Sequence, residues 1–133
     1  MTPRILIVDD EDDVRTFLAQ ILSEDGYYIT AVATARQALA AIRNREFELV
    51  VLDFSLPDGD GLEITRQIRS EIPHLHILAI SGFMVGEMPH EAVAAGASAA
   101  LPKPASPFEL RQSVSDLVAH RDLGTRRFKT AAM

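Results

Sequence analysis

Short apolar runs alternate with helically spaced apolar residues along almost the whole chain. Ile5-Leu6-Ile7-Val8 is a β-branched run too short for a buried helix, and the acidic stretch Asp9-Asp10-Glu11-Asp12-Asp13 closes it. Val14, Phe17, Leu18, Ile21 and Leu22 then recur at helical spacing, and the acidic start suits the positive end of that helix's dipole. Gly26 ends the helix as a left-handed cap. Tyr28 to Val32 reads as a second strand, and Thr34 as the N-cap of a helix through Ala38, Leu39 and Ile42. Leu49 to Leu52 is apolar on both faces, as a central parallel strand requires. The turn-rich Leu56-Pro57-Asp58-Gly59-Asp60-Gly61 leads into a helix with Leu62, Ile64 and Ile68 that stops before Pro73. A fourth strand, Leu75 to Ile80, ends at Ser81-Gly82. An Ala-rich helix from Glu87 to Ala95, capped by Gly96, has little apolar bulk and is expected to be the most mobile. The fifth strand covers Ser98 to Leu101, and Ser106 caps a last helix through Phe108, Leu110, Val114, Leu117 and Val118. Five βα units with right-handed crossovers predict an α/β fold, a doubly wound five-stranded parallel sheet with helices on both faces.

Composition narrows the function. At 133 residues the chain suits one domain with a real core. A net charge of −6 argues against the broad basic surface that nucleic-acid binding needs, so no nucleic-acid partner is expected. Cysteine is absent, which excludes disulfides, thiolate metal sites and cysteine nucleophiles. Met1-Thr2-Pro3-Arg4 runs straight into the first strand without a secretory leader, and no apolar stretch approaches a membrane span. A cytoplasmic domain over residues 1–120 is the plain expectation. Beyond it, residues 121–133 carry Arg126, Arg127 and Lys129 without apolar periodicity, either as a flexible solvated end or as a segment that docks an anionic partner. The four histidines, His74, His76, His90 and His120, show no ligand spacing and read as surface residues. His76, on the fourth strand, is the exception that an edge or half-buried position would fit.

The chemistry sits at the strand ends. In a parallel α/β sheet, residues just past the carboxyl ends of the strands gather in one crevice. Asp9 and Asp10 follow the first strand, Asp53 the third, Ser81 the fourth and Lys103 the fifth. Three carboxylates and an ammonium therefore converge, a set suited to a hard divalent cation and a phosphoryl group. Magnesium favours octahedral oxygen ligands, so Asp10 and Asp53 are direct-ligand candidates, with Asp9 holding a coordinated water and the Ser55 backbone carbonyl adding an oxygen. Asp9-Asp10 alone would be explained as a helix start. Asp53 is harder to explain structurally, because it ends a wholly apolar run. A carboxylate there can act as nucleophile toward phosphorus, giving an acyl phosphate. Lys103 and Ser81 would then meet the phosphoryl oxygens.

Val8-Asp9-Asp10-Glu11, Asp53-Phe54-Ser55-Leu56-Pro57-Asp58-Gly59-Asp60-Gly61, Ser81-Gly82 and Lys103-Pro104 together resemble the receiver domains of two-component response regulators. The match runs in order over about residues 4 to 120. It implies the flavodoxin-like receiver fold with strand order 2-1-3-4-5, Asp53 as phosphoacceptor, and Asp9 and Asp10 as the Mg2+ pocket. Ser81 matches the switch hydroxyl and Lys103 the phosphate-binding lysine. The resemblance also implies a cis Lys103-Pro104 bond. It further implies a histidine kinase or histidine phosphotransfer protein as donor and a protein partner or relay as output, through a monomer or weak dimer.

One position departs from that pattern. Receivers usually carry Tyr or Phe three residues before the lysine, where this chain has Ala100. The usual aromatic readout is therefore in doubt. Gly82-Phe83 is similar to a Gly-aromatic pair in some stand-alone receivers lacking that aromatic, so Phe83 is a switch candidate. The plainer reading packs its ring over the fourth helix. Three other functions suit these residues less well. A phosphatase-like hydrolase needs a second carboxylate two residues after the nucleophile, where Ser55 stands. A pseudo-receiver, a phosphorylation-independent binding module, has no need of the complete acidic site. Flavin binding lacks a phosphate loop after the first strand. No output domain is expected, since the receiver uses nearly all the residues, and catalysis is expected only of its own phosphorylation and dephosphorylation.

Overall fold

The computed structural model describes residues 2–119. Five strands and five helices alternate: β1 (Arg4–Val8), α1 (Asp12–Glu24), β2 (Tyr28–Val32), α2 (Ala35–Asn44), β3 (Leu49–Asp53), α3 (Gly61–Glu71), β4 (His76–Ser81), α4 (Met88–Ala95), β5 (Ala99–Pro102) and α5 (Pro107–Ala119). The strands form one parallel sheet in the order β2-β1-β3-β4-β5. This is the doubly wound architecture the alternation predicts, with the strand order that the resemblance implies.

Alternation along the strands builds two cores. Leu6, Val8, Val50, Leu52, Ile77 and Ala79 face α2, α3 and α4, whereas Ile5, Ile7, Leu49, Val51, Leu78 and Ile80 face α1 and α5. Both faces of β1, β3 and β4 are thus covered, and the near-continuous apolar runs follow from that. Each fully buried Leu or Ile contributes about 2 kcal/mol of transfer free energy.

Helix ends are fixed by specific groups. Thr34 and Gln37 form a reciprocal capping box on α2. Asp58, from the loop after β3, also accepts hydrogen bonds from the N–H groups of Ala35 (2.8 Å) and Arg36 (3.1 Å). That loop is therefore tied to the start of α2. Gly26 takes φ +92° just after α1, the left-handed conformation expected of it. Gly61 is required for space, because a Cβ there would lie 2.3 Å from Cγ of Phe54.

Three expectations need correction. Phe17 and Phe108 fall at helical spacing with core residues, yet they are 46% and 74% exposed, since no other described residue covers the flank of each helix on which they lie. His76 is neither a surface nor a half-buried residue: it is 3% exposed, with Nδ1 3.4 Å from the Ser98 hydroxyl. The fifth strand starts at Ala99, because the Ser98 hydroxyl accepts the Ile77 N–H at 3.0 Å as the chain enters the sheet. His74 and His90 are exposed as expected. His120 and the expected tail over residues 121–133 lie outside the described residues. Among those described, no helix is long and apolar enough to cross a membrane.

Candidate functional site

Sheet register aligns the site residues. Val8 pairs with Leu52, Asp53 with Ile80 and Ser81 with Pro102, so the residues ending these strands form one row along the carboxyl edge. Backbone bonds carry the row past the strands: Asp9 N–H donates to the Val32 carbonyl at 3.1 Å, and Lys103 N–H to that of Ser81 at 2.9 Å. The Lys103-Pro104 peptide bond is cis, as expected from the resemblance.

The expected convergence of carboxylates and ammonium is present. Lys103 Nζ lies 3.0 Å from Asp9 Oδ2, 3.3 Å from Asp53 Oδ2 and 3.0 Å from Glu11 Oε1. Asp9 and Asp53 have no solvent exposure, whereas Asp10 is exposed at the mouth. Asp53 Oδ1 accepts the Ser55 N–H at 3.0 Å, and Asp9 Oδ1 accepts the Glu11 N–H at 2.9 Å. Asp9 Oδ2 is different. It is buried and receives the charge of Lys103 without a well-directed hydrogen bond.

Burial raises the Asp53 pKa above the ordinary aspartate value, and the neighbouring Asp9 charge adds to the effect. The Ser55 N–H and Lys103 oppose both. Burial works against the charged form of Lys103, but its contacts with Asp9 and Glu11 and the charge of Asp53 outweigh it and raise its pKa. Lys103 is therefore a permanent cation here, facing more negative charge than it neutralises. On the other side of the site, the Ser81 hydroxyl is 2% exposed, accepts the Phe83 N–H at 3.0 Å and lies 3.5 Å from the Ser55 hydroxyl.

The donor set fits a hard cation. One oxygen from each of Asp9, Asp10 and Asp53 can be chosen so that all lie within 4.8 Å of one another. The incompletely satisfied Asp9 Oδ2 is among the carboxylate oxygens there. Oxygen-only ligands of this charge suit Mg2+ better than softer metals.

Phe83 does not pack over α4: it is 72% exposed, beside Ser81. Ala100 is partly buried among residues of the core under α2, α3 and α4, including Met84 and Ala92. Glu11 is the site residue that sequence reasoning missed. Its signal was adjacency to Asp9-Asp10, masked because acids at a helix start have a sufficient explanation in the dipole.

Comparison with known proteins decides the family. The profile described as "Response regulator receiver domain" matches residues 5–115. The chain belongs to the response regulator receiver domain family. Among curated relatives, it is 31% identical over 123 residues to the alginate biosynthesis transcriptional regulatory protein AlgB of Pseudomonas aeruginosa, covering 92% of this chain and 27% of that protein. It is 31% identical over 114 residues to the response regulator receiver protein CpdR of Brucella abortus, covering 86% and 92%. The chain thus spans only about a quarter of AlgB's length but nearly all of CpdR. Among solved structures, the CheY-like receiver domain protein of Methanospirillum hungatei superposes with a TM-score of 0.87 at 31% identity, covering 92% of this chain and 98% of that one. CheY4 of Vibrio cholerae, a chemotaxis response regulator, gives 0.82 at 27% identity, covering 88% and 99%. These receivers share the sheet that aligns Asp9, Asp53, Ser81 and Lys103 in this chain.

Proposed function

We propose that this receiver accepts a phosphoryl group on Asp53 from a histidine kinase or a histidine phosphotransfer protein. The observation that carries the reading is the Asp53 carboxylate, fully buried at the end of β3 with Lys103 at 3.3 Å and Asp9 and Asp10 beside it. A structural aspartate gains nothing from so much like charge. In the transfer, one carboxylate oxygen bonds to phosphorus as the bond from phosphorus to the donor's imidazole nitrogen breaks. The nitrogen keeps the electron pair, and Asp53 becomes an acyl phosphate. Lys103 pairs with one phosphoryl oxygen, and the Ser81 hydroxyl turns from Ser55 to donate to another. Asp9, Asp10 and Asp53, with the Ser55 carbonyl, would hold Mg2+, which neutralises charge on the phosphoryl group when bound. Attack of water on phosphorus later releases inorganic phosphate and restores the carboxylate.

Beyond its own phosphorylation and dephosphorylation the domain is not an enzyme. Ser55 stands where a hydrolase would carry its second carboxylate, which disfavours turnover of external substrates. Signalling runs through a protein partner or onward relay in the cytoplasm. Exposed Phe83, Val85 and Phe108, all in or just after the loops at the carboxyl edge, support contact with a protein. With Ala100 in the usual aromatic position, we assign the readout to Phe83. Its N–H is bonded to the Ser81 hydroxyl oxygen, so movement of that hydroxyl toward a phosphoryl group pulls on Phe83 directly. Intact mass after incubation with magnesium and acetyl phosphate tests the core of this reading. One added phosphoryl group, absent from Asp53→Ala, supports it. No adduct on the wild type would leave a phosphorylation-independent binding module.

A further inference from the structure

We propose that Glu11 is a positioning residue that holds Lys103 at the mouth of the site and thereby slows small, multiply charged phosphodonors; this rests on the phosphoacceptor reading above. Glu11 is the N-cap residue of α1, with extended φ −90° and ψ 119°. Short side chains such as Asp or Ser at such positions accept backbone N–H bonds from the first helical turn, whereas the longer Glu side chain is free to reach elsewhere. Glu11 makes no such bond. Its Oε1 accepts from Lys103 Nζ at 3.0 Å instead, a contact across 92 residues of sequence. Its backbone N–H is anchored on Asp9 Oδ1 at 2.9 Å, so the residue is fixed to the site from both ends.

Three carboxylates surround an ammonium that has three hydrogens to give. Glu11 and Asp53 accept its hydrogen bonds and Asp9 lies at ion-pair distance, so a phosphoryl oxygen approaching Lys103 competes with carboxylates already there. The Asp9 and Asp53 side chains are 0% and 1% exposed, whereas that of Glu11 is 62% exposed. Only Glu11 can be released into water without stranding a buried charge, so it is the partner that gives way. It is also the exposed one of the three, so an incoming anion meets its charge before that of Asp9 or Asp53. A donor presented by a docked protein offsets that repulsion with its own interface. A free dianion has nothing comparable.

The test follows adduct formation by intact mass in the full chain, with magnesium, for wild type, Glu11→Gln, Glu11→Asp and Asp12→Asn. Asp12 pairs with Arg15 rather than Lys103 and controls for surface charge. Glu11→Asp keeps the charge but withdraws it from Lys103 by one methylene. With doubly charged acetyl phosphate, Glu11→Gln and Glu11→Asp should both react about threefold to fivefold faster, the factor an exposed ion pair can carry. The gain should be smaller with singly charged phosphoramidate and shrink as salt is raised, while Asp12→Asn stays at the wild-type rate. Wild-type rates in all three variants would overturn the inference and leave the phosphoacceptor reading standing. Acceleration in Glu11→Gln alone would overturn the lysine contact in favour of simple charge. A tenfold loss of magnesium affinity in Glu11→Gln, measured by titration without donor, would make Glu11 part of the metal shell and also overturn it. Absence of any adduct on wild type would sink the phosphoacceptor reading and the inference together.

Discussion

Asp53, the proposed phosphoacceptor, sets stability against that function in one side chain. Its raised pKa means that the folded protein resists ionising a group that the unfolded chain ionises freely. Below the unfolded value of about 3.9 both states are protonated and the group costs nothing. As pH rises through that value toward the higher folded one, the unfolded state gains and folding weakens; above the folded value the penalty is complete. Asp53→Asn should therefore raise the thermal midpoint at neutral pH, with the gain vanishing in acid. A melting series over pH checks this, and an unchanged or lower midpoint at neutrality would mean that Lys103 already compensates the buried charge. Phe83 presents the opposite case, a large ring with little packing to lose. Phe83→Ala should leave the melting midpoint nearly unchanged while altering acyl-phosphate lifetime or partner affinity. If both stay at wild-type values, the readout does not run through this residue.

The elements matter because they fix where loops begin. Every site residue lies at or just past the carboxyl end of a strand, so sheet register sets their spacing before any side chain is considered. The loop after β3 is held twice, by Asp58 on the start of α2 and by Phe54 against Gly61 at the start of α3. A methyl group at residue 61 has no space beside the Phe54 ring. Gly61→Ala should cost about 1–3 kcal/mol, the range for overpacking, and appear as a lower urea midpoint with unchanged slope. A neutral result would show that Phe54 can turn away. Strand and helix positions were legible in the sequence for physical reasons: both cores depend on periodic apolar residues, and each site residue interrupts such a pattern. What periodicity cannot convey is whether anything covers a given face. Phe17 and Phe108 keep helical spacing but look outward, and His76 is enclosed by neighbours that the β4 sequence does not contain. Glu11 was obscured in the same way, since its partner lies 92 residues away.

At the scale of the whole molecule, a sheet with a core on each face presents a largely buried cluster of charge at one edge. The receiver fold supplies the geometry, and the departures at Ala100 and Phe83 concern how a partner would read it. The central claim is chemical: phosphorus bonds to Asp53 and not to the more exposed Asp10. Its most direct test is borohydride reduction of the phosphorylated protein followed by peptide mapping, since reduction converts an aspartyl phosphate to homoserine. Homoserine at position 53 alone is the predicted result. Homoserine at position 9 or 10, or none on a chain that has gained phosphoryl mass, would contradict the account.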